Sequence, residues 1–171
     1  DLELFPLSEY NKTKMVAERV VQSYADQMIT TIIRPAPVCG WSPRMRLDVV
    51  VNMLTMQALT RGSLTVLGGD QTRPNIHIGD MVRVYLHLLK QGRAMQGVYN
   101  AGFENISIMD IAKRVTQHVP AEIEVKPSND PRSYRLTSRK LLATGFQPQS
   151  GVEQAIHLAE DRKSVSLDPQ R

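Results

Sequence analysis

No apolar run among the 171 residues reaches the roughly 18 that a membrane-spanning helix requires, and nothing in the sequence reads as a signal peptide, so no membrane partner is expected. Cysteine is nearly absent. Cys39 stands alone, which rules out an internal disulfide and suggests a reducing, cytoplasmic setting. There is no internal repeat and no low-complexity tract. The chain is basic, with net charge +4 and pI 9.4. Its arginines and lysines are nevertheless scattered, as in Arg44 and Arg46, Arg61 and Arg73, or Arg139 and Lys140. Without a dense basic stripe, nucleic-acid binding is not expected, and the scattered arginines suit either a solvated surface or a phosphorylated small molecule. His77 has no second His or Cys at ligand spacing, so no metal site is expected.

What remains is the composition of one globular domain with a sizeable core, 42% hydrophobic and 22% charged. Its most informative stretch is Ser8-Glu9-Tyr10-Asn11-Lys12-Thr13-Lys14. Ser8 is a candidate N-cap for a helix over 8–28, in which Tyr10 and Lys14 share one face, continued by Ala17, Val21, Ala25 and Met28 as a buried stripe. An ammonium beside a phenol favours the phenolate and lowers the tyrosine pKa towards neutrality, which equips it for proton transfer. Any helix can hold Tyr and Lys four apart, so the pair alone decides nothing. Val16, Val20 and Tyr24 widen the apolar arc. Either the helix is buried on two sides, or one side packs on a sheet and the other on a second subunit.

Further along, 28–35 reads as a buried strand and 35–43 as a loop stiffened by proline. A helix follows over 48–59, carrying Asn52 as a polar exception, either bonded to nearby backbone or facing a ligand. Short strands are expected at 63–67, around Ile76 and Ile78, at 97–102 and at 123–127. Helices are expected at 81–90 with Asp80 as cap, at 108–118 with Ser107 as cap, at 138–144 closed by Gly145, and from 150 to about 161. The segment 130–135 reads as a polar loop with two arginines and a tyrosine. That gives about six helices and five strands.

Five features now stand in one order: Tyr10-Asn-Lys-Thr-Lys14; Arg34-Pro35-Ala36-Pro37-Val38-Cys39-Gly40; Arg73-Pro-Asn-Ile-His77-Ile-Gly-Asp80; Val98-Tyr99-Asn100-Ala101-Gly102; and Tyr134 six residues before Lys140, then Gly145-Phe146. From about Pro6 to Asp161 the chain resembles the C-terminal half of the extended short-chain dehydrogenase/reductases, the NAD-dependent nucleotide-sugar epimerases and dehydratases. The resemblance implies an α/β fold: the C-terminal part of a Rossmann-like NAD(P)-binding fold (1–40), a mainly substrate-binding α/β region (41–162) and a flexible tail (163–171). It implies NAD as cofactor, with Tyr10 as acid/base and Lys14 on the nicotinamide ribose. It sets the loop from Pro35 to Val38 against the nicotinamide, and Asn52, Arg73, Arg132 and Tyr134 around a nucleotide-sugar substrate, with Arg73 at a phosphate. His77 and Asp80 read as structural.

The glycine-rich turn Gly-x-x-Gly-x-x-Gly and the family's catalytic Ser or Thr are not found in these residues, Gly79 interrupts the His-x-x-Asp motif, and Thr137 stands where relatives often carry Asp. The chain is therefore expected to be a piece of a longer enzyme, inactive by itself. The alternative is a catalytically dead remnant serving as a structural or dimerisation module, paired through the helix at 8–28.

Overall fold

The structure is a computed structural model and describes residues 8–130, 132–157 and 159. In chain order its helices are α1 (Glu9–Gln22), α2 (Val50–Arg61), α3 (Ile78–Gln91), α4 (Ile108–His118), α5 (Arg139–Leu142) and α6 (152–157), with a 3₁₀ turn at Gly92–Met95. The strands are β1 (Thr31–Pro35), β2 (Val38–Cys39), β3 (Ser63–Leu67), β4 (Thr72–His77), β5 (Gly97–Ala101), β6 (Glu104–Ser107) and β7 (Glu122–Lys126). The expected tail at 163–171 and the lead-in before Ser8 lie outside the described residues.

The strands form three small sheets. β1 pairs in parallel with β5, from Thr31 opposite Gly97 to Pro35 opposite Ala101. β3 pairs in parallel with β7. β4 lies between β2, parallel to it, and β6, antiparallel. A parallel pair needs a long crossover, and helices supply it: α3 lies between β4 and β5, and α4 precedes β7.

Each helix forms where apolar residues recur at helical spacing. Met81, Val84 and Leu88 are the buried row of α3; Ile108, Ile111, Ala112 and Val115 are that of α4. In β3 the alternation is of period two, with Leu64 and Val66 buried between exposed Ser63 and Leu67. Two cores result. One gathers α2, β3, β6, α4 and α6 around Leu54, Val66, Ile111 and Ile156. The other gathers β1, β5, α3 and α5 around Ile76, Val84, Tyr99, Leu141 and Phe146. The stretch 41–162 thus contributes to both cores, because α3 and β5 return to stack with β1.

Several expectations are corrected. The first helix ends at Gln22, with turns continuing to Gln27, and none of its residues is buried. The row Ala17, Val21, Ala25 and Met28 is therefore not a core stripe: Ala17, Val21 and Met28 are exposed and Ala25 is half-buried. α1 is tied down instead by a bidentate ion pair, Arg34 on β1 donating to Glu18 at 2.6–3.2 Å. β1 is half-buried, not buried, and among the described residues it pairs only with β5. Asp80 is not the cap of α3: the N-cap is His77, whose Nδ1 accepts from the Gly79 amide at 3.1 Å. Asp80 lies one turn inside, fully buried, accepting from the Gln149 and Ser150 amides at 3.0 Å and pairing with Arg83. Strand β6 has no counterpart among the expected elements.

Candidate active site

β1 and β5 are parallel, so their carboxyl ends open on the same side. Ligands of open α/β sheets bind at that end. From β1 the chain continues as Pro35-Ala36-Pro37-Val38, held at its start by the Ala36 amide donating to Ala101 O at 2.8 Å. The loop is pressed onto the end of β5: a Cβ on Gly102 would lie 2.7 Å from Ala36 Cβ. Only glycine permits that approach, and Ser138 fixes it by accepting from the Gly102 amide and donating to its carbonyl.

Beside this loop lies a cleft of about 720 Å³. It brings together Tyr10, Pro35, Val38, Arg73, Arg132 and Tyr134, six of the eight residues picked out by the sequence. Tyr10 reaches it from the N-terminal end of α1, started by Ser8, whose Oγ accepts from the Asn11 amide at 3.2 Å. Tyr10 is 67% exposed, so its hydroxyl is open to a molecule in the cleft. Lys14 does not line the cleft. Its Nζ lies 5.3 Å from the centre of the Tyr10 ring, the pairing that four-residue spacing imposes.

Arg73, on β4, is enclosed by a strap formed by Ser128 to Asp130 and Arg132 to Tyr134. Its guanidinium donates to Asp130 Oδ2 at 3.1 Å, to Thr72 O at 3.2 Å and to Arg132 O, and lies 5.5 Å from the centre of the Tyr134 ring. Arg132 grips the same carboxylate in fork geometry, Nε and Nη2 each donating at 2.7 Å. The hydrogen bonds and charge of Arg132, helped by Arg73, hold the Asp130 carboxyl far below the ordinary carboxylate range. The strap is stitched to β4, the Tyr134 amide donating to Thr72 O at 3.2 Å and the Thr72 amide to Ser133 Oγ at 3.1 Å.

Asn52 is absent from the lining. It is buried, accepts from the Gly40 amide at 2.9 Å and donates to Arg46 O at 3.0 Å. Both of these bonds are to backbone. Asn52 joins α2 to both ends of the loop 40–46, and so sets where Arg46 stands. Arg46 itself lines the cleft with its ion-pair partner Asp48. Asp48 raises the Arg46 pKa, with a smaller contribution from nearby Tyr10. Arg46, Asp48 and Asp130 were not singled out by sequence reasoning; an Arg-x-Asp pair beside a Pro/Gly loop was the available signal.

The cysteine is no nucleophile. Cys39 is buried, and burial pushes its thiol up to about 12. Among the described residues no group of three His, Cys, Asp or Glu could hold a metal ion, and no helix is long and apolar enough to cross a membrane.

A tyrosine with a lysine one turn on, a proline-walled loop at the carboxyl end of a parallel pair and Arg73 under a strap that carries Arg132 thus stand close together. The profile of the NAD dependent epimerase/dehydratase family matches residues 1–102. The chain belongs to that family. Members include NAD-dependent sugar-nucleotide epimerases and dehydratases. Among curated relatives of this family protein, human dTDP-D-glucose 4,6-dehydratase is 27% identical over 166 residues, covering 88% of this chain and 47% of the human protein. YtcB of Bacillus subtilis (strain 168), described as an uncharacterized UDP-glucose epimerase, is 27% identical over 136 residues, 74% of this chain and 43% of its own length. The chain thus spans about half the length of the curated relatives it matches. Among solved structures, UDP-glucuronic acid 4-epimerase from Bacillus cereus, in complex with UDP-glucuronic acid and NAD, superimposes with TM-score 0.80 at 26% identity, covering 96% of this chain and 55% of that one. The fold, mixed α/β with parallel strands, is that of the Rossmann-like epimerases and dehydratases; dTDP-glucose 4,6-dehydratase from Bacillus anthracis, in complex with NAD, has TM-score 0.80 over 95% of this chain and 55% of that one at 20% identity.

Proposed function

We propose that this chain is the acid/base and substrate-holding part of an NAD-dependent nucleotide-sugar epimerase or dehydratase. The observation that carries the reading is the shared cleft, where Tyr10 and the Pro35–Val38 wall meet Arg73, Arg132 and Tyr134. Bound NAD supplies a hydride acceptor. The residues present fit its nicotinamide end: Pro35, Pro37 and Val38 offer an apolar wall beside Tyr10, and Lys14 stands one turn away for the ribose. They do not include a glycine-rich turn for its pyrophosphate, and the 171-residue chain alone is expected to bind NAD poorly and to be inactive. Tyr10 takes the proton from a sugar hydroxyl while the carbon bearing it is oxidised. Arg73 and Arg132 hold the nucleotide diphosphate, their planar forks matching phosphate oxygens, and Tyr134 closes over the nucleotide.

The test is product analysis. The protein expressed from its complete coding sequence is incubated with NAD and a panel of UDP- and dTDP-sugars. An epimer or keto-sugar product that disappears in Tyr10→Phe supports the reading; a product profile unchanged by that substitution overturns it.

A second reading, a structural or dimerisation module, is favoured by one observation. Val16, Val20, Tyr24, Met28 and Ile29 are each more than 40% exposed, an apolar surface beyond what a free helix needs. In that reading two copies pair through α1, and homodimerisation is also compatible with catalysis.

A further inference from the structure

Asp130 sits where two arginines converge, and all its strong contacts are with cations or amides. Its Oδ1 accepts from Arg132 Nε at 2.7 Å and from the Arg132 amide at 3.1 Å; its Oδ2 accepts from Arg132 Nη2 at 2.7 Å and from Arg73 Nη2 at 3.1 Å. Arg73 has little other access: its side chain is 11% exposed, roofed by Asp130, the Arg132 carbonyl and the Tyr134 ring. A second anion competes with this arrangement. Two like charges within a few ångströms of each other repel, and the carboxylate already holds the Nε–Nη2 fork of Arg132 and Nη2 of Arg73.

We propose that the Asp130 carboxylate is an internal stand-in for the substrate diphosphate: it occupies the Nε–Nη2 fork of Arg132 and Nη2 of Arg73, and a diphosphate takes these donors only by displacing it, loosening the strap of Ser128 to Asp130 and Arg132 to Tyr134. The proposal rests on the reading of the cleft as a nucleotide-sugar site and adds its regulation. It follows that the cleft rejects weakly charged ligands. A neutral sugar offers the arginines nothing to replace the carboxylate, whereas a diphosphate brings more charge and more acceptor oxygens. The arginines are also kept oriented while they wait, which reduces the ordering cost when a ligand arrives.

The experiment is titration of the purified 171-residue chain and its Asp130→Asn variant with inorganic pyrophosphate by calorimetry, at about 50 and 200 mM salt. Asparagine keeps the size and loses the charge. The Asn variant is expected to bind pyrophosphate about tenfold more tightly at low salt, with a steeper loss on adding salt, because its arginines are no longer neutralised from within. Equal or weaker binding by a folded variant would overturn the proposal, making Asp130 an organiser and not a competitor. In the wild-type chain the carboxyl carbon resonance of Asp130 should shift towards that of an unpaired carboxylate as pyrophosphate saturates; an unmoved resonance at saturation also overturns it. Failure of both chains to bind pyrophosphate removes the anion site and the proposal with it, leaving the acid/base reading to the Tyr10→Phe product assay. Tighter binding by the variant, together with a product profile of the complete protein that Tyr10→Phe leaves unchanged, would sustain the anion switch and sink the enzymatic reading.

Discussion

Asn52 shows how one buried amide can shape a cleft it does not line. Its two bonds join the Gly40 amide and the Arg46 carbonyl to α2. Asn52→Ala strands the buried Gly40 amide and releases the Arg46 carbonyl, which stands on an exposed residue, and a loss of about 1–3 kcal/mol is expected in denaturant unfolding, mainly from the stranded amide. Its effect on ligand binding should come through Arg46, as weaker affinity without altered proton transfer. His77 works similarly. Its Nδ1 accepts the Gly79 amide, and its pKa is lowered, first by burial and then by Arg83, against the opposing pull of Asp80 and Glu104. The folded-state pKa therefore lies below the unfolded value of about 6.5, and the unfolded chain takes up the proton more readily. The His77 contribution to stability is complete above about pH 6.5 and is lost as pH falls through the folded pKa. Denaturant midpoints between pH 7.5 and 5 should decline, and His77→Asn, which keeps a cap acceptor without titrating, should flatten that part of the decline. An unchanged slope in the variant would assign the acid sensitivity elsewhere. At this scale the sequence was partly legible. Tyr10, Arg73, Arg132 and Tyr134 are set by motifs, whereas Asp130 and Asp48 act through partners that meet only in three dimensions.

At the scale of elements, legibility followed packing. α3 and α4 bury an apolar row against a sheet, so periodicity located both within a few residues, and Ser107 caps α4 as its position suggests, accepting from the Asp110 amide at 3.0 Å. Ser107→Ala is expected to cost about 1 kcal/mol in unfolding free energy. β6 escaped because four residues between a turn and a helix carry too little alternation, and its Glu104 side chain serves the Val152 amide at the start of α6. α1 was overextended: its apolar residues follow a helical period past Gln22, but no core among the described residues draws them in. The Arg34–Glu18 pair is its main tether, with side chains 34% and 18% exposed. Glu18→Gln should leave the two cores intact and raise amide exchange selectively in α1, loosening the platform that carries Tyr10. Uniform protection across α1 in the variant would show that other contacts hold it.

For the molecule as a whole, the two cores are complete while the outer face of α1 is not. Val16 and Val20 are each 53% exposed, and among the described residues β1 pairs only with β5. The chain is expected to self-associate, with a sedimentation-derived mass that rises with concentration. Val16→Glu combined with Val20→Glu should return it to a monomer without moving the thermal transition; a monomer at all concentrations would remove α1 as an interface. The fold brings Tyr10, the Pro35–Val38 loop, Arg73, Arg132 and Tyr134 to one cleft, and the proposed function makes Tyr10 the group that moves the proton. The most direct test is rapid mixing of the complete protein with NAD and a UDP- or dTDP-sugar, following formation of reduced nicotinamide in wild type and Tyr10→Phe. The account predicts a burst in the wild type and a rate lower by about 10²–10⁴ in the variant. Reduced nicotinamide forming equally fast without the Tyr10 hydroxyl would contradict it.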